Sequence, residues 1–305
     1  VACAALVKAD PEQVALVTST AQAIAIAVDN LDLAPGTTIV VPGEQFPSNV
    51  LGWRRLGERG IEIRTVPRPR PEDTRSDGRS LATLWNERLL AAIDSRCAIV
   101  AVEPGHWTDG ARFDLDAIAA RAHQVGAGLV IDATQYVGVH PFDVTRLKPD
   151  LFVAHAYKSM LSHYGLGFAV LGPRLARGRP LDEHWMLRRD AENFSGLVDY
   201  QEAYAGGVRR FDTNVRANGI LVESLAASAS LLGQWQPARV ADYCRRLMDG
   251  LDERFRALGF GLAPVTDRLP NLFGLQAPAG RDLEALRRAL DARQVQVSIR
   301  GTSLR

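Results

Sequence analysis

The chain of 305 residues is 47% hydrophobic and 23% charged, and its 36 Lys+Arg against 35 Asp+Glu leave a formal net charge of +1. That balance describes a globular protein long enough for a main core and a smaller second one, and it removes the electrostatic case for nucleic acid or an anionic membrane as partner. Cys3, Cys97 and Cys244 are too few and too scattered for a disulfide framework and form no C-x-x-C pair, so reduced thiols, a cytoplasmic setting, no metal site and a small-molecule substrate are expected.

The first residues, VACAALVKADPEQVALVTST, show neither the order of a signal peptide nor an apolar run near the ~18 residues of a membrane span. They read as the middle of a helix entering a strand, as though the sequence began inside a longer chain. From there, short Val- and Ile-rich runs alternate with helical patterns, the signature of βαβ units. VALVTS (14–19), TIVVPG (38–43), IEIRTVP (61–67), AIVAVEP (98–104), GLVIDAT (128–134), DLFVAHA (150–156) and GFAVLG (167–172) are the predicted strands. RPRPEDTRSDGRS (68–80), dense in charge, Pro and Gly, reads as a solvated linker without chemistry. Before the fifth strand, FDLDAIAARAHQVGA offers Asp114 as N-cap, Leu115, Ile118, Ala119 and Ala122 on one face, and Gly126 as the stop.

After residue 216 the pattern changes. NGILVESLAASASLLGQW and VADYCRRLMDGLDERFRALG predict two long helices, and LPNLFGLQAP, DLEALRRALDARQ and VQVSIRG predict strand, helix, strand. The expectation is an α/β fold with a mainly parallel seven-stranded sheet between helices over 1–216, followed by a smaller α/β domain over 217–305.

In open parallel sheets, ligands bind where strands end, so the polar residues there are the informative ones. After the first strand, Ser19 and Thr20 open an Ala/Ile-rich helix and can offer hydroxyls and N–H groups to a phosphate. Neither the G-x-G-x-x-G of nicotinamide enzymes nor a P-loop is present there, which points to another phosphorylated cofactor. The fifth strand runs into Asp132, with Gln135 just beyond, and a buried carboxylate needs a partner. The sixth ends at His155, Tyr157 and Lys158, where desolvation can turn a lysine into a nucleophilic amine. Helix caps and a snorkelling lysine would explain each feature singly. Together, a phosphate-type helix start, an Asp for a pyridinium nitrogen and a Lys for an imine are the handles of pyridoxal 5'-phosphate (PLP).

At these residues the sequence resembles the class V aminotransferase group of fold-type I PLP-dependent enzymes, which also holds cysteine desulfurases, kynureninases and isopenicillin N epimerase-like proteins. HWTDGARFDLDAIAARAHQVGAGLVIDATQYVGVHPFDVTRLKPDLFVAHAYKSMLSHYGLGFAVL follows that group's central block, with DATQ and the strand ending in Tyr-Lys its most specific parts. The resemblance implies a Schiff base at Lys158, Asp132 on the pyridine nitrogen and Gln135 near the ring hydroxyl. It implies a phosphate cradle of Ser19, Thr20 and the Ala21 amide, helped by His155 and Tyr157. EQFPSNV is similar to a kynureninase-like segment and gives Phe46 the ring-stacking role.

RRFDTNVRAN resembles a segment that reaches the neighbouring subunit's phosphate, which implies that role for Thr213 and Asn214 in a homodimer, although Asn214 stands where Gly is usual. GTSLR resembles the start of a motif whose arginine holds the substrate carboxylate, here Arg305. Family chains are usually longer at both ends. Desulfurases carry a cysteine on a late mobile loop where this sequence has none, which disfavours sulfur extraction, and Tyr164 in SHYGLG has no assigned role. The activity implied is transamination of an amino acid or related amine, with a PLP-dependent Cβ-lyase or epimerase, or a non-catalytic protein of the same fold, as alternatives.

Overall fold

Residues 1–74, 79–213 and 218–305 are described by the structure, a computed structural model. All seven expected strands form: β1 (Val14–Val17), β2 (Thr38–Pro42), β3 (Glu62–Val66), β4 (Cys97–Val102), β5 (Gly128–Asp132), β6 (Leu151–His155) and β7 (Gly167–Leu171). They make one sheet in the order β1-β7-β6-β5-β4-β2-β3. β7 runs antiparallel to β1 and β6, and the other neighbours are parallel. No helix separates β6 from β7, so the chain turns back and β7 comes in reversed.

Every residue of β5 and β6 is buried, as near-continuous apolar runs require when both faces of a sheet are covered. Successive side chains serve opposite cores. Leu129 and Ile131 enter one core, formed with α1 (Ala2–Val7), α4 (Leu81–Ala92), α5 (Leu115–Val125), α6 (Val144–Leu147) and α7 (Gly219–Trp235). Val130 enters the other, formed with α2 (Thr20–Asn30) and α3 (Leu51–Arg54). α5 forms as its caps predict: the Asp114 carboxylate accepts the Ala117 N–H at 3.0 Å, and Gly126 ends the helix at φ 76°.

Beyond residue 218 the expectation needs correction in two places. The second long helix is broken into α8 (Pro237–Leu247) and α9 (Leu251–Ala257), because Gly250 adopts φ 73°, which ends a helix. The last strands are short: β8 (Leu275–Gln276), β9 (Ile299–Arg300) and β10 (Ser303–Leu304) form a separate sheet ordered β8-β10-β9, with α10 (Leu283–Asp291) between the first two. α7 sends Leu225, Ala229 and Leu232 into the core shared with α1 and α5. The division at 216/217 is kept as a proposal, with α7 at its seam.

The loop after β4 meets this later chain. Arg112 N–H donates to the Asp267 carbonyl at 2.8 Å, and Leu269 N–H to the Gly110 carbonyl at 3.0 Å. Gly110 has φ 73°, and a Cβ there would stand 1.9 Å from the Leu272 carbonyl oxygen, so only glycine fits the turn.

Candidate active site

A cavity of about 230 Å³ opens over the carboxyl ends of the strands. It is lined by Ser19 and Thr20 after β1, Phe46 and Ser48 after β2, Glu103 and Trp107 after β4, Asp132, Thr134 and Gln135 from β5, and His155, Tyr157 and Lys158 from β6. A larger hollow of about 410 Å³ lies beside Trp185, Arg188 and Tyr200, but no strand end delivers a side chain into it.

Lys158 is half-buried, 5.1 Å from the centre of the Phe46 ring and 5.5 Å from that of Tyr157. Desolvation pulls its pKa below the usual lysine value, opposed by the charge of Asp132 and reinforced by Arg305. Asp132 is 6% exposed, and one carboxylate oxygen accepts the Thr134 N–H at 3.0 Å. Burial raises its pKa against that hydrogen bond and against Lys158. Thr134 ties three elements together, since its hydroxyl lies 3.0 Å from the Thr20 hydroxyl and accepts the His155 N–H at 3.1 Å.

At the start of α2, the Ser19 hydroxyl caps the helix by accepting the Gln22 N–H at 3.1 Å. The amides of Thr20 and Ala21 belong to a first turn that has no intrahelical acceptors. His155 Nε2 is 3.0 Å from the Thr18 carbonyl, which makes it the protonated nitrogen, while Nδ1 is buried without a partner. Tyr157 packs edge-on against His155 with centroids 4.6 Å apart, and Tyr164 stacks on it at 3.8 Å. Tyr164, unassigned from sequence, is the outer leaf of an aromatic pair at the cavity mouth.

Reading the sequence missed three participants. Glu103 follows β4 and, with Val102 paired to Ile131, stands beside Asp132 at the sheet's edge. It is 3% exposed, and burial, then the Asp132 charge, drives its pKa well above the ordinary carboxylate value. Trp107 is the second. Its amide donates to Glu103 at 2.9 Å, its indole N–H to the Glu44 carbonyl at 2.7 Å, and its ring meets Phe46 edge-on at 5.5 Å. Its own carbonyl accepts Arg305 Nη1 at 2.9 Å, and the same nitrogen lies 3.3 Å from Gln135 Oε1.

Arg68, the third, opens the segment read as a linker, of which 75–78 lie outside the described residues, and it is a structural tie. Its guanidinium reaches Asp109 at 2.5 Å, Glu44 at 3.0 Å, Thr108 at 2.8 Å and His106 Nδ1 at 2.7 Å, and lies 4.7 Å from the centre of the Trp85 ring. A guanidinium only donates, so His106 carries its proton on Nε2 and donates to the Gly43 and Glu44 carbonyls. Burial, with Arg68 adding to it, lowers the His106 pKa to about 4. The loop that presents Phe46 is thereby tied to the loop that presents Trp107.

Phe46, Asp132, Gln135, His155, Tyr157, Lys158, Ser19 and Thr20 therefore share one cavity, and Arg305 touches its edge through Gln135. Ala21 is exposed on α2 and is not among the residues lining the cavity. Thr213 is 4% exposed and its N–H donates to the Leu16 carbonyl at 2.9 Å, away from the cavity lining. Asn214 lies outside the described residues.

The donor set fits PLP. Burial holds the Asp132 carboxyl above its ordinary pKa despite Lys158, the buried Nδ1 of His155 has no partner among the described residues, the first-turn amides of α2 suit an anion, and a lysine of weakened basicity lines the same cavity.

Comparison with known proteins agrees. A sequence model of the family "Aminotransferase class-V" matches residues 2–303. The chain is 29% identical over 165 residues to a probable cysteine desulfurase of Methanothermobacter thermautotrophicus, covering 54% of this chain and 39% of that protein. It is 27% identical over 245 residues to the uncharacterized aminotransferase YcbU of Bacillus subtilis, covering 80% and 60%. The chain thus spans about half the length of these curated relatives. Among solved structures, a variant of C-DES with glycine covalently linked to its PLP cofactor superposes with a TM-score of 0.82 at 16% identity, over 99% of this chain and 77% of that one. The chain belongs to the aminotransferase class-V family of PLP-dependent enzymes with the fold-type I architecture.

Proposed function

We propose that the cavity binds PLP and that the protein transfers the amino group of an amino acid or related amine. The observation that carries this reading is the delivery of Asp132 and Lys158 by adjacent strands into one cavity, where burial weakens the lysine's hold on its proton. When bound, PLP supplies an electron sink for the carbanion left when a proton leaves the substrate's α-carbon.

The chain's own residues do the rest. Lys158 Nζ would hold the cofactor covalently and, when free, would be the base that takes the substrate's α-proton. For transamination Nζ would have to serve in turn as base and as acid. The Asp132 carboxylate would pair with the pyridine nitrogen, and Gln135 would be the candidate partner of the ring hydroxyl. Ser19, Thr20, the Ala21 amide, His155 and Tyr157 hold the phosphate. Phe46 and Trp107 wall the ring, and Arg305 receives the substrate carboxylate. The working unit would be a cytoplasmic homodimer, with the partner-phosphate role of Thr213 and Asn214 resting on the sequence resemblance alone.

Lys158→Ala is expected to remove the visible absorbance of the lysine-bound cofactor and at least ~100-fold of turnover. A variant that kept both would refute the assignment. Carbon–sulfur cleavage is the second reading, favoured by the desulfurase relative. Against it, Cys97 and Cys3 are buried with pKa values pushed up to about 11 and about 12, and no thiol among the described residues lines the cavity. An amino-acid panel separates the two: a keto acid with aminated cofactor marks transamination, and release of sulfide marks cleavage.

A further inference from the structure

We infer that the substrate is doubly anionic, an amino acid with a second carboxylate on its side chain, and that Arg300 holds that second carboxylate while Arg305 holds the first. This rests on the reading of the cavity as a PLP site and adds the substrate class.

One hairpin delivers both arginines. β9 and β10 pair antiparallel with Ser303 opposite Arg300, and Gly301 makes the turn at φ 58°. Both side chains arrive at Trp107. Arg305 bonds its carbonyl at 2.9 Å, and the Arg300 guanidinium lies 5.6 Å from the centre of its indole ring. Neither forms an ion pair among the described residues, whereas the partly buried Arg64, Arg68, Arg188 and Arg268 all do.

Arg300 is the less satisfied of the two. Among the described residues its Nη1 donates only to the carbonyl of Ile299, and its buried Nε has no partner. The carboxylates nearest the cavity form no ion pair with either arginine among the described residues: Asp109 pairs with Arg68, Asp132 accepts the Thr134 amide, and Glu103 accepts the Trp107 amide.

Two half-buried guanidiniums that repel each other and lack counter-charges are costly, and a ligand bearing two carboxylates relieves both costs at once. Burial and then Arg300 lower the Arg305 pKa, a sign of how closely the two cations are held. A monocarboxylate leaves one of them uncompensated. Planar guanidiniums also suit carboxylates, which they grip with two parallel N–H donors.

The test uses the cofactor-loaded full chain and unreactive acids that lack an amine, glutarate against butyrate, with affinity read by calorimetry and loading by visible absorbance. Glutarate is expected to bind at least about tenfold more tightly. Arg300→Gln should bring that ratio close to one through loss of glutarate affinity, Arg300→Lys should keep part of it, and Arg305→Gln should weaken both acids. Equal affinities in loaded wild-type protein, or a ratio that Arg300→Gln leaves intact, would overturn the inference alone. Protein that never acquires the visible band would instead overturn the cofactor reading beneath it. Raised salt should shrink the glutarate advantage without any substitution.

Discussion

Two carboxyl groups stand side by side at the ends of β4 and β5, and they face different fates. Burial raises the pKa of both, but Glu103 also feels the Asp132 charge, opposed by the Trp107 amide and Lys158, and so holds its proton to a higher pH than an ordinary glutamate. The unfolded chain releases that proton once pH passes the ordinary glutamate value of about 4.3. Folding therefore takes up a proton above that pH, and the stability contributed at this site falls as pH rises through the interval up to the raised folded value. Glu103→Gln imitates the neutral carboxyl and should raise Tm of the cofactor-free protein at neutral pH, with the gain fading as pH drops toward 4.3. A gain equal at all pH values would mean that Glu103 is ionised in the fold. Lys158 shifts in the opposite sense, since its lowered pKa makes the neutral amine available at a pH where an ordinary lysine is still charged.

At the scale of loops and strands, Arg68 is the member whose removal should be felt furthest. Without it Asp109 and Glu44 lose their cation, His106 Nδ1 loses its donor, and the Phe46 and Trp107 loops are no longer tied. Because the side chain is 23% exposed, Arg68→Met should cost roughly 2–3 kcal/mol, less than the ~3–5 of a fully buried pair. It should also weaken cofactor binding in a titration of visible absorbance. Unaltered urea midpoint and cofactor affinity together would show that the tie is idle.

The contrast with what the sequence revealed is instructive at this scale. Strands announce themselves by runs of Val and Ile, and the caps of α5 by Asp114 and Gly126, because these signals are local. Asp132 and Lys158 were legible because a polar residue closing an apolar strand is also a local signal. Arg68 meets His106 across 38 positions, and nothing in a Pro- and Gly-rich stretch marks the single side chain that folds back. Trp107 and Glu103 were hidden for the same reason, their importance arising from partners in four other segments. The break at Gly250 was missed because a helical period on both sides outweighed one glycine whose positive φ only the fold reveals.

Across the whole molecule, the cavity sits where the large sheet meets the β8–β10 sheet, and the seam depends on a few contacts: Asn271 to the Gln135 carbonyl at 2.9 Å, Arg305 to Trp107, and the tight turn at Gly110. Gly110→Ala forces a left-handed alanine, costing about 1–2 kcal/mol, and drives its Cβ toward the Leu272 carbonyl. The expected result is a lower Tm together with weaker binding of carboxylates at Arg305, because the segment carrying Leu272 must move away from the β4 loop. A loss of stability with carboxylate affinity unchanged would uncouple the seam from the site.

Trp107 touches every party to that seam: the Phe46 ring, the Glu44 carbonyl, Glu103, Arg305 and Arg300. An indole so placed, in the same cavity as Lys158, is a built-in optical gauge. Its emission overlaps the absorbance of a lysine-bound cofactor, so loading the site should darken it, and any parting of the two sheets should brighten and redden it. The protein carries its own fluorophore at the one point where cofactor, substrate charge and closure of the cavity are felt together.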